Sequence, residues 1–386
     1  MAPWISFMDY DVVIAGGSIA GLICAREIAE KGYRVLVIEE DYEIGTPEHC
    51  GGLVSVTGLQ ELGVIPHRKT YEHRIETAEI FSPNGKSFVI NSTKQNVVEI
   101  NRRELDKQIA HQAQQNGAEI RVKTSFHEIT DKGVKTSDGK IKCKIIVNAR
   151  GVAALINRER DGILSSAQYE VYADWIKKGK VEVYFDQEKY PGFFAWIIPS
   201  SDGIGKVGVA GRAINASSTI DEFLSKKGKY SVIRKIFAPI WIKGPIEEFV
   251  TNNVVTIGDA AGQSKPTTAG GIYSCGIGGM FAGRAISKFL ETKNKEYLKE
   301  YQKKWKKKFG KEFDKQLLAR KILERLDNES VNKLFNSITP EIVDEISEGE
   351  DFDFHTSSII KLLGIKRSFG VAQTILGGEI KRLLTQ

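Results

Sequence analysis

The chain has 386 residues, 41% of them hydrophobic and 27% charged, which excludes both a disordered polymer and a bundle of membrane spans. Its 55 Lys and Arg against 49 Asp and Glu leave +6, and residues 293–315 alone hold ten Lys against Glu296, Glu300, Glu312 and Asp314. With the excess confined to one segment, a nucleic-acid surface is not expected. No run approaches the ~20 apolar residues of a spanning helix, and the first eight residues lack the basic region of a signal peptide. The four cysteines, Cys24, Cys50, Cys143 and Cys275, show neither a C-x-x-C pair nor zinc spacing. Composition thus points to a soluble cytoplasmic enzyme of about two to three domains. His67, His73, His111, His127 and His355 do not cluster with acids at ligand spacing, so no metal is expected.

In chain order, Asp11–Ala15 is a short β-branched run of the kind that forms a buried parallel strand. A small-residue turn follows. Leu22, Ala25, Ile28 and Ala29 then fall at helical spacing, Gly32 ends the helix, and Val35–Ile38 reads as a second buried strand. This is a βαβ unit. Residues 46–100 are mixed, with turn signals at Gly51-Gly52, Gly58, Gly63 and Ser82-Pro83-Asn84-Gly85. Residues 101–116 predict an amphipathic helix; 118–123, 134–136 and 141–149 predict strands. Residues 167–211 are strand-rich and aromatic. Val254–Ile257 reads as a buried strand before Gly-Asp-Ala-Ala-Gly, and the chain is mostly helical from 272 onward.

The interleaving predicts an α/β fold: a Rossmann-like nucleotide-binding domain, an inserted antiparallel-sheet domain and a helical C-terminus. The expected boundaries are 9–65, 96–155 and 245–290 for the first, 66–95 and 156–244 for the second, and 291–386 for the third.

Gly16-Gly17-Ser18-Ile19-Ala20-Gly21 matches G-x-G-x-x-G with Ser18 at the second glycine. It follows a strand, opens a helix, and precedes Glu39-Glu40 at the end of the next strand. That context marks a dinucleotide turn. Gly16 permits the tight turn, the helix N-terminus favours a pyrophosphate, and Glu39 accepts from a ribose hydroxyl. Gly203-Ile204-Gly205-Lys206-Val207-Gly208 matches the same string but sits among strands, so it reads as a hairpin.

Three further segments resemble flavoproteins built like p-hydroxybenzoate hydroxylase. Arg102-Arg103-Glu104-Leu105-Asp106 resembles their R-x-x-F/L-D helix start. Gly258-Asp259-Ala260-Ala261 resembles their G-D-A-A motif, whose aspartate meets the ribityl chain. Pro266-Thr267-Thr268-Ala269-Gly270-Gly271-Ile272 resembles their P-x-T-G-G-G-I segment at the flavin edge. The resemblance implies FAD bound through Gly16, Ser18, Ala20, Gly21, Glu39, Glu40, Cys50, Gly51, Arg102, Gly258, Asp259, Gly270, Gly271 and Ile272.

Within that superfamily the chain is similar to the geranylgeranyl reductases, above all the archaeal digeranylgeranylglycerophospholipid reductases. Phe194-Ala195-Trp196-Ile197-Ile198-Pro199 followed by Gly208-Val209-Ala210 resembles their Y/F-x-W-x-F-P-x7–8-G-x-G motif. Glu43–Gly52 resembles their E-I-G-x-P-x-x-C-G. Ile198 and Ala210 depart from the motif, as does Arg150 in Asn148-Ala149-Arg150-Gly151. The resemblance implies an FAD-dependent reductase of isoprenoid C=C bonds in archaeal-type membrane lipid precursors. It places substrate at Phe193, Phe194, Trp196, Pro199 and Gly208, with Cys50 and Trp196 as the candidates for the chemistry. An aromatic-ring monooxygenase and an electron-transfer flavoprotein are the alternatives. The electron donor stays open between NAD(P)H and ferredoxin.

Several residues carry two readings. Cys50 is either a thiol beside the flavin or a buried filler. His49 is either a proton donor or a solvated loop histidine. Cys24, Cys143 and Cys275 read as packing. Tyr297, Tyr301, Trp305, Phe309 and Phe313 recur at i, i+4 along the Lys-rich segment. They form either an interfacial membrane helix or a stripe docked on the core with its lysines in water. A lipid substrate implies reversible contact with a membrane surface in either case.

Overall fold

The computed structural model describes residues 10–156, 160–349 and 352–354. His355 and the rest of the expected helical C-terminus lie outside the described residues. In chain order the elements begin with β1 (Tyr10–Ala15), α1 (Ile19–Ala29), β2 (Val35–Ile38), β3 (Leu53–Ser55), α2 (Val56–Glu61) and β4 (Tyr71–Arg74). Next come β5 (Thr77–Phe81), β6 (Ser87–Asn91), β7 (Val97–Ile100), α3 (Arg102–Gln115), β8 (Glu119–Arg121), β9 (Phe126–Thr130), β10 (Gly133–Thr136) and β11 (Gly139–Asn148). They continue with β12 (Ile163–Tyr172), β13 (Lys180–Tyr184), β14 (Ala195–Ser201), β15 (Ile204–Gly211), α4 (Ala216–Ser225) and β16 (Ser231–Trp241). The last are β17 (Val250–Thr251), β18 (Val254–Thr256), α5 (Ile272–Thr292), α6 (Glu296–Leu323), α7 (Asn328–Asn336) and α8 (Pro340–Ser347).

The first sheet runs β17-β18-β11-β1-β2-β8, extended through β11 by β10 and β9. Its centre is parallel: β1 pairs with both β2 and β11, β2 with β8, and β11 with β18. Val12, Val13, Ile14 and Val35–Ile38 are buried on both faces, as central parallel strands require. Helices α1, α3 and α5 share one core with it. Helix α5 lies so close to α1 that a Cβ on Gly279 would stand 2.2 Å from the Ala20 carbonyl oxygen.

The second sheet runs β16-β12-β15-β14-β13-β5-β6. It is antiparallel except where β13 meets β5 in parallel. The exception arises because β5 and β6 come from an earlier excursion of the chain than β12–β16. Gly203 is the tip of the β14–β15 hairpin, so the second glycine string forms no nucleotide turn. A third sheet, β3-β7-β4, was not legible in the mixed stretch 46–100. Its strands are three or four residues long, too short to show a period.

Candidate functional site

The turn Gly16–Ser18 joins β1 to α1. Gly16 has φ +116°, and a Cβ there would meet the Ala149 carbonyl oxygen at 2.2 Å. A Cβ on Gly21 would stand 2.1 Å from the Gly16 carbonyl oxygen. Only glycines let this loop close onto β11 and α1. Exposed Ser18 is the N-cap of α1 but makes no side-chain cap bond, so the first-turn N–H groups keep no side-chain partner. The Gly17 N–H donates to Glu39 Oε2 at 2.6 Å, which places that carboxylate against the turn. Glu40 is exposed. Ala20 is buried under Gly258 and Gly279, so it packs α1 on α5.

Gly258–Ala261 forms a 3-10 turn after β18, with Gly258 at φ +66°. Its backbone is pinned from within: the Gly258 N–H donates to Gln263 Oε1 at 2.7 Å. Gln263 Nε2 donates to the Tyr301 hydroxyl, which donates to the Thr256 carbonyl. The N-cap of α5 is Gly271, again with no side-chain cap. The Cys275 thiol, one turn into α5, donates to Asp259 Oδ1 at 3.4 Å. Burial, reinforced by Asp259, pushes that thiol well above its ordinary value, so it stays a donor. Sequence reasoning assigned Cys275 to helix packing and missed this contact, which joins residues 16 apart.

The loop 46–52 runs between the start of α3, β7 and the second sheet. Arg102, at the start of α3, is half-buried and binds both oxygens of Asp106. Its guanidinium also lies against the Cys50 thiol. Its backbone N–H donates to Glu48 Oε1. Arg102 therefore clamps this loop onto α3. His49 is exposed, with Nδ1 3.0 Å from the Pro47 carbonyl. Arg150 is exposed too, stacked 4.3 Å from the Phe126 ring centre.

Register in the second sheet sets rows of side chains on one face. One row holds Arg234, Glu170, Lys206 and Ile198; the next holds Ile236, Gln168, Gly208 and Trp196. The W-to-G spacing acquires a physical reason here. Trp196 lies opposite Gly208, and a Cβ on Gly208 would stand 2.2 Å from the indole. The indole covers its neighbour only because that neighbour has no side chain. Trp196 Nε1 donates to Gln168 Oε1 at 3.2 Å, and Gln168 Nε2 donates to the Cys50 carbonyl at 3.3 Å. Phe193 and Phe194 stack at 4.1 Å, and Trp196 stands edge-on to both. Ala269, from the loop before α5, packs into the same cluster. Gly51 lies against Ile198. Pro199 is out of phase with Trp196 along β14, so the structure does not bring it to this wall. It pairs with Gly205 on the other face.

Helix α6 braces the arrangement. Tyr301, Trp305, Phe309 and Phe313 are at most 1% exposed, while Tyr297 is half-buried. The docked-stripe reading holds, and insertion of this face into a membrane is excluded, because its aromatic rings already form core. Lys303, Lys304, Lys306 and Lys307 remain exposed. Trp305 Nε1 donates to the Ser274 carbonyl on α5. Buried Arg320 donates to the Pro266 and Gly192 carbonyls at 3.1 and 2.7 Å. It thus ties the loop before α5 to the aromatic wall.

A second brace is Lys265, buried under Gly270 and paired with Asp353 at 3.1 Å. Asp353 Oδ2 also accepts from the Ser55 hydroxyl at 2.6 Å. Burial works to raise this carboxyl, yet Lys265 and Ser55 hold it below its ordinary value. Asp353→Asn leaves Lys265 charged and unpaired indoors, at an expected cost of about 3–5 kcal/mol. Urea unfolding would show it as a lower midpoint. A Lys265→Met/Asp353→Leu pair should recover most of the loss, and failure to recover would mean the charges themselves are not the cause.

An FAD binding domain model matches residues 9–198. Digeranylgeranylglycerophospholipid reductase of Methanocaldococcus jannaschii is 30% identical, over 85% of this chain and 90% of that protein. Digeranylgeranylglycerophospholipid reductase 2 of Methanopyrus kandleri is 28% identical over 89% and 94%. A crystal structure of a geranylgeranyl bacteriochlorophyll reductase-like protein from Thermoplasma acidophilum superposes with a TM-score of 0.85. It is 22% identical and covers 98% of this chain and 100% of its own. Fold and turn together define an FAD-dependent oxidoreductase. The chain belongs to the family of the digeranylgeranylglycerophospholipid reductases.

The residues present fit that cofactor. Two helix N-termini without side-chain caps, those of α1 and α5, provide open N–H donors and positive potential. Asp259 lies between them, within 3.4 Å of the space a Gly271 Cβ would fill. No helix among the described residues is long and apolar enough to cross a membrane.

Proposed function

We propose that this protein saturates the C=C bonds of geranylgeranyl chains on archaeal-type membrane lipid precursors. The carrying observation is the cluster of Phe193, Phe194 and Trp196 with Ala269, which sets an aromatic wall against the loop that opens α5. Bound and reduced, the flavin supplies hydride. The chain's own residues bind and orient. The Gly16–Gly21 turn and Glu39 hold the adenosine and pyrophosphate, Asp259 the ribityl chain, and the Gly270–Ile272 helix start the ring edge. Arg102, Gly51 and Gly258 shape the same cradle. Segments 9–65, 96–155 and 245–290 do this work, while strands of 66–95 and 156–244 wall the prenyl chain and α6 braces both.

An isolated trisubstituted alkene is a poor hydride acceptor. It must gain a proton on its less substituted carbon as hydride reaches the other. Trp196 presents a π face to the cationic character that develops, and its bond to Gln168 fixes the ring. Gln168 in turn orients the Cys50 loop. Apolar walls exclude the bulk water that would quench a cation. The electron donor is NAD(P)H or a ferredoxin. The substrate partitions into bilayers, by ~0.8 kcal/mol per buried CH₂, so the protein meets the membrane reversibly from the cytoplasm. The exposed lysines of α6 are its electrostatic contribution.

The test is anaerobic incubation of dithionite-reduced protein with digeranylgeranylglycerophospholipid, free prenyl diphosphates and phenols, read by mass spectrometry. Gain of two hydrogens per double bond on the lipid is expected. Hydroxylation of a phenol on admitting oxygen would instead support a monooxygenase. Flavin reoxidation by ferredoxin without alkene reduction would support an electron-transfer protein.

A further inference from the structure

The loop that carries Cys50 covers a buried charge cluster that the reading above does not use. Lys206 Nζ lies 2.8 Å from Glu99 Oε1 and 2.9 Å from Glu48 Oε1. Gly52 sits directly over both Lys206 Nζ and Glu99 Oε1. Glu48 Oε2 also meets Arg234, which pairs with Glu170 at 2.7 Å. A cavity of about 450 Å³ opens beside the cluster, and Glu72 and Arg103 face it as well.

The charges do not balance. Arg103, Lys206 and Arg234 are the cations, while Glu48, Glu72, Glu99 and Glu170 are the carboxylates. Three cations are shared among four carboxylates, which disfavours ionisation of the one most removed from water. Glu99 is 0% exposed, and its Oε2 has no hydrogen-bond partner. His73 stands opposite it in the β4–β7 ladder, also buried, with neither ring nitrogen in hydrogen-bond geometry. Ser200 Oγ reaches Glu99 Oε1 only at 3.5 Å. Lys178 and Asp202, which act on His73, oppose one another. No second cation therefore neutralises Glu99. A fully buried carboxylate that shares its one cation with Glu48 is costly to ionise, so the neutral acid is favoured.

We propose that Glu99 is the proton store of the reductase site. Its carboxyl holds the proton that each alkene reduction consumes, and it is refilled across Lys206 and Glu48 from the charged cavity. This inference rests on the reductase reading. Lys206 stands one row, two residues along β15, from Gly208 and the Trp196 indole. Rows are about 7 Å apart, a span that one bridging water covers. The Glu99 O–H bond breaks as its proton passes to the bridging water, and that water gives one of its own protons to the alkene π pair, which forms the C–H bond. The neighbouring carbon takes hydride from the reduced flavin. Glu99, left as carboxylate, takes a proton from cavity water. Burial pushes the Glu99 carboxyl up to about 8 against the pull of Lys206, and burial pushes His73 down to about 4. Both are neutral at pH 7.

Infrared titration of the flavin-free protein reads the store without turnover. A protonated-carboxyl band should persist at pH 7, vanish with a midpoint near 8, and be missing from Glu99→Gln. Because the folded state keeps this proton above the ordinary carboxyl value of 4.5, stability should fall as pH rises from there to about 8. Glu99→Gln, which mimics the neutral acid, should fold normally at pH 7 and lose that slope. In the flavin-loaded enzyme it should lower kcat at least about tenfold with little change in KM, and abolish the fall in rate above pH 8. Glu99→Asp should restore part of the rate. A band midpoint below 6, collapse of Glu99→Gln at pH 7, or an unchanged pH–rate profile would each overturn the store. Absence of alkene reduction by the wild-type enzyme would overturn the reductase reading instead, with the infrared result standing apart from it.

Discussion

Gly208→Ala is expected to keep its full complement of flavin and to lose about a hundredfold in kcat/KM for prenyl-chain reduction. The new Cβ would stand 2.2 Å from the Trp196 indole, far inside van der Waals contact. The other face of the sheet is packed, so strand β15 cannot retreat: Val207 and Val209 are 0% exposed. The indole must swing away. It then leaves Gln168, loses its edge-on contacts with Phe193 and Phe194, and ceases to define the wall. Flavin absorbance together with steady-state rates on the lipid would check this. Reduction at the wild-type rate with the collision present would remove Trp196 from the site. Trp196→Phe should fall between wild type and Gly208→Ala, since a smaller ring keeps a π face but not the Gln168 bond.

Gly21→Ala should emerge from purification with less than about a tenth of its flavin, a change of roughly 1.4 kcal/mol or more in binding. A Cβ at position 21 would lie 2.1 Å from the Gly16 carbonyl oxygen, so the turn must open. Opening it moves the Gly17 N–H away from Glu39 and misdirects the N–H groups at the start of α1. These donors act on phosphate only when they converge. The flavin-to-protein absorbance ratio measures the effect, and circular dichroism separates it from unfolding. Asp259→Ala should weaken flavin binding without opening the turn. A colour as strong as the wild type in both variants would rule out this cradle.

The βαβ unit, the Gly16–Gly21 turn and Glu39 were legible because each is a local pattern, whereas Gly258–Ala261 stood out only by its resemblance to the flavoprotein motif. A strand, a turn and a helix within 30 residues leave a period and a glycine spacing in the chain. The aromatic stripe Tyr301, Trp305, Phe309 and Phe313 was equally plain, but its destination was not. An apolar face has the same spacing whether it meets a membrane or a protein core. Only the packing against Phe249, Tyr273 and α5 decides.

Local order also specified which residues alternate along β14 and β15, but not which side of the sheet the flavin loops would cover. That depends on the chain returning from Ala269 and from Cys50 to the same face. It separates Trp196 from Pro199, although the two stand three residues apart. The cluster of Glu48, Glu99 and Lys206 left no trace in the sequence. Its members are 51 and 107 positions apart, as numbered, on a loop and two strands from different sheets. Hydrophobic period and turn chemistry act over a few residues and are written in order along the chain. Charge balance in a buried space is a sum over whatever the fold brings together, so it exists only once the chain has folded.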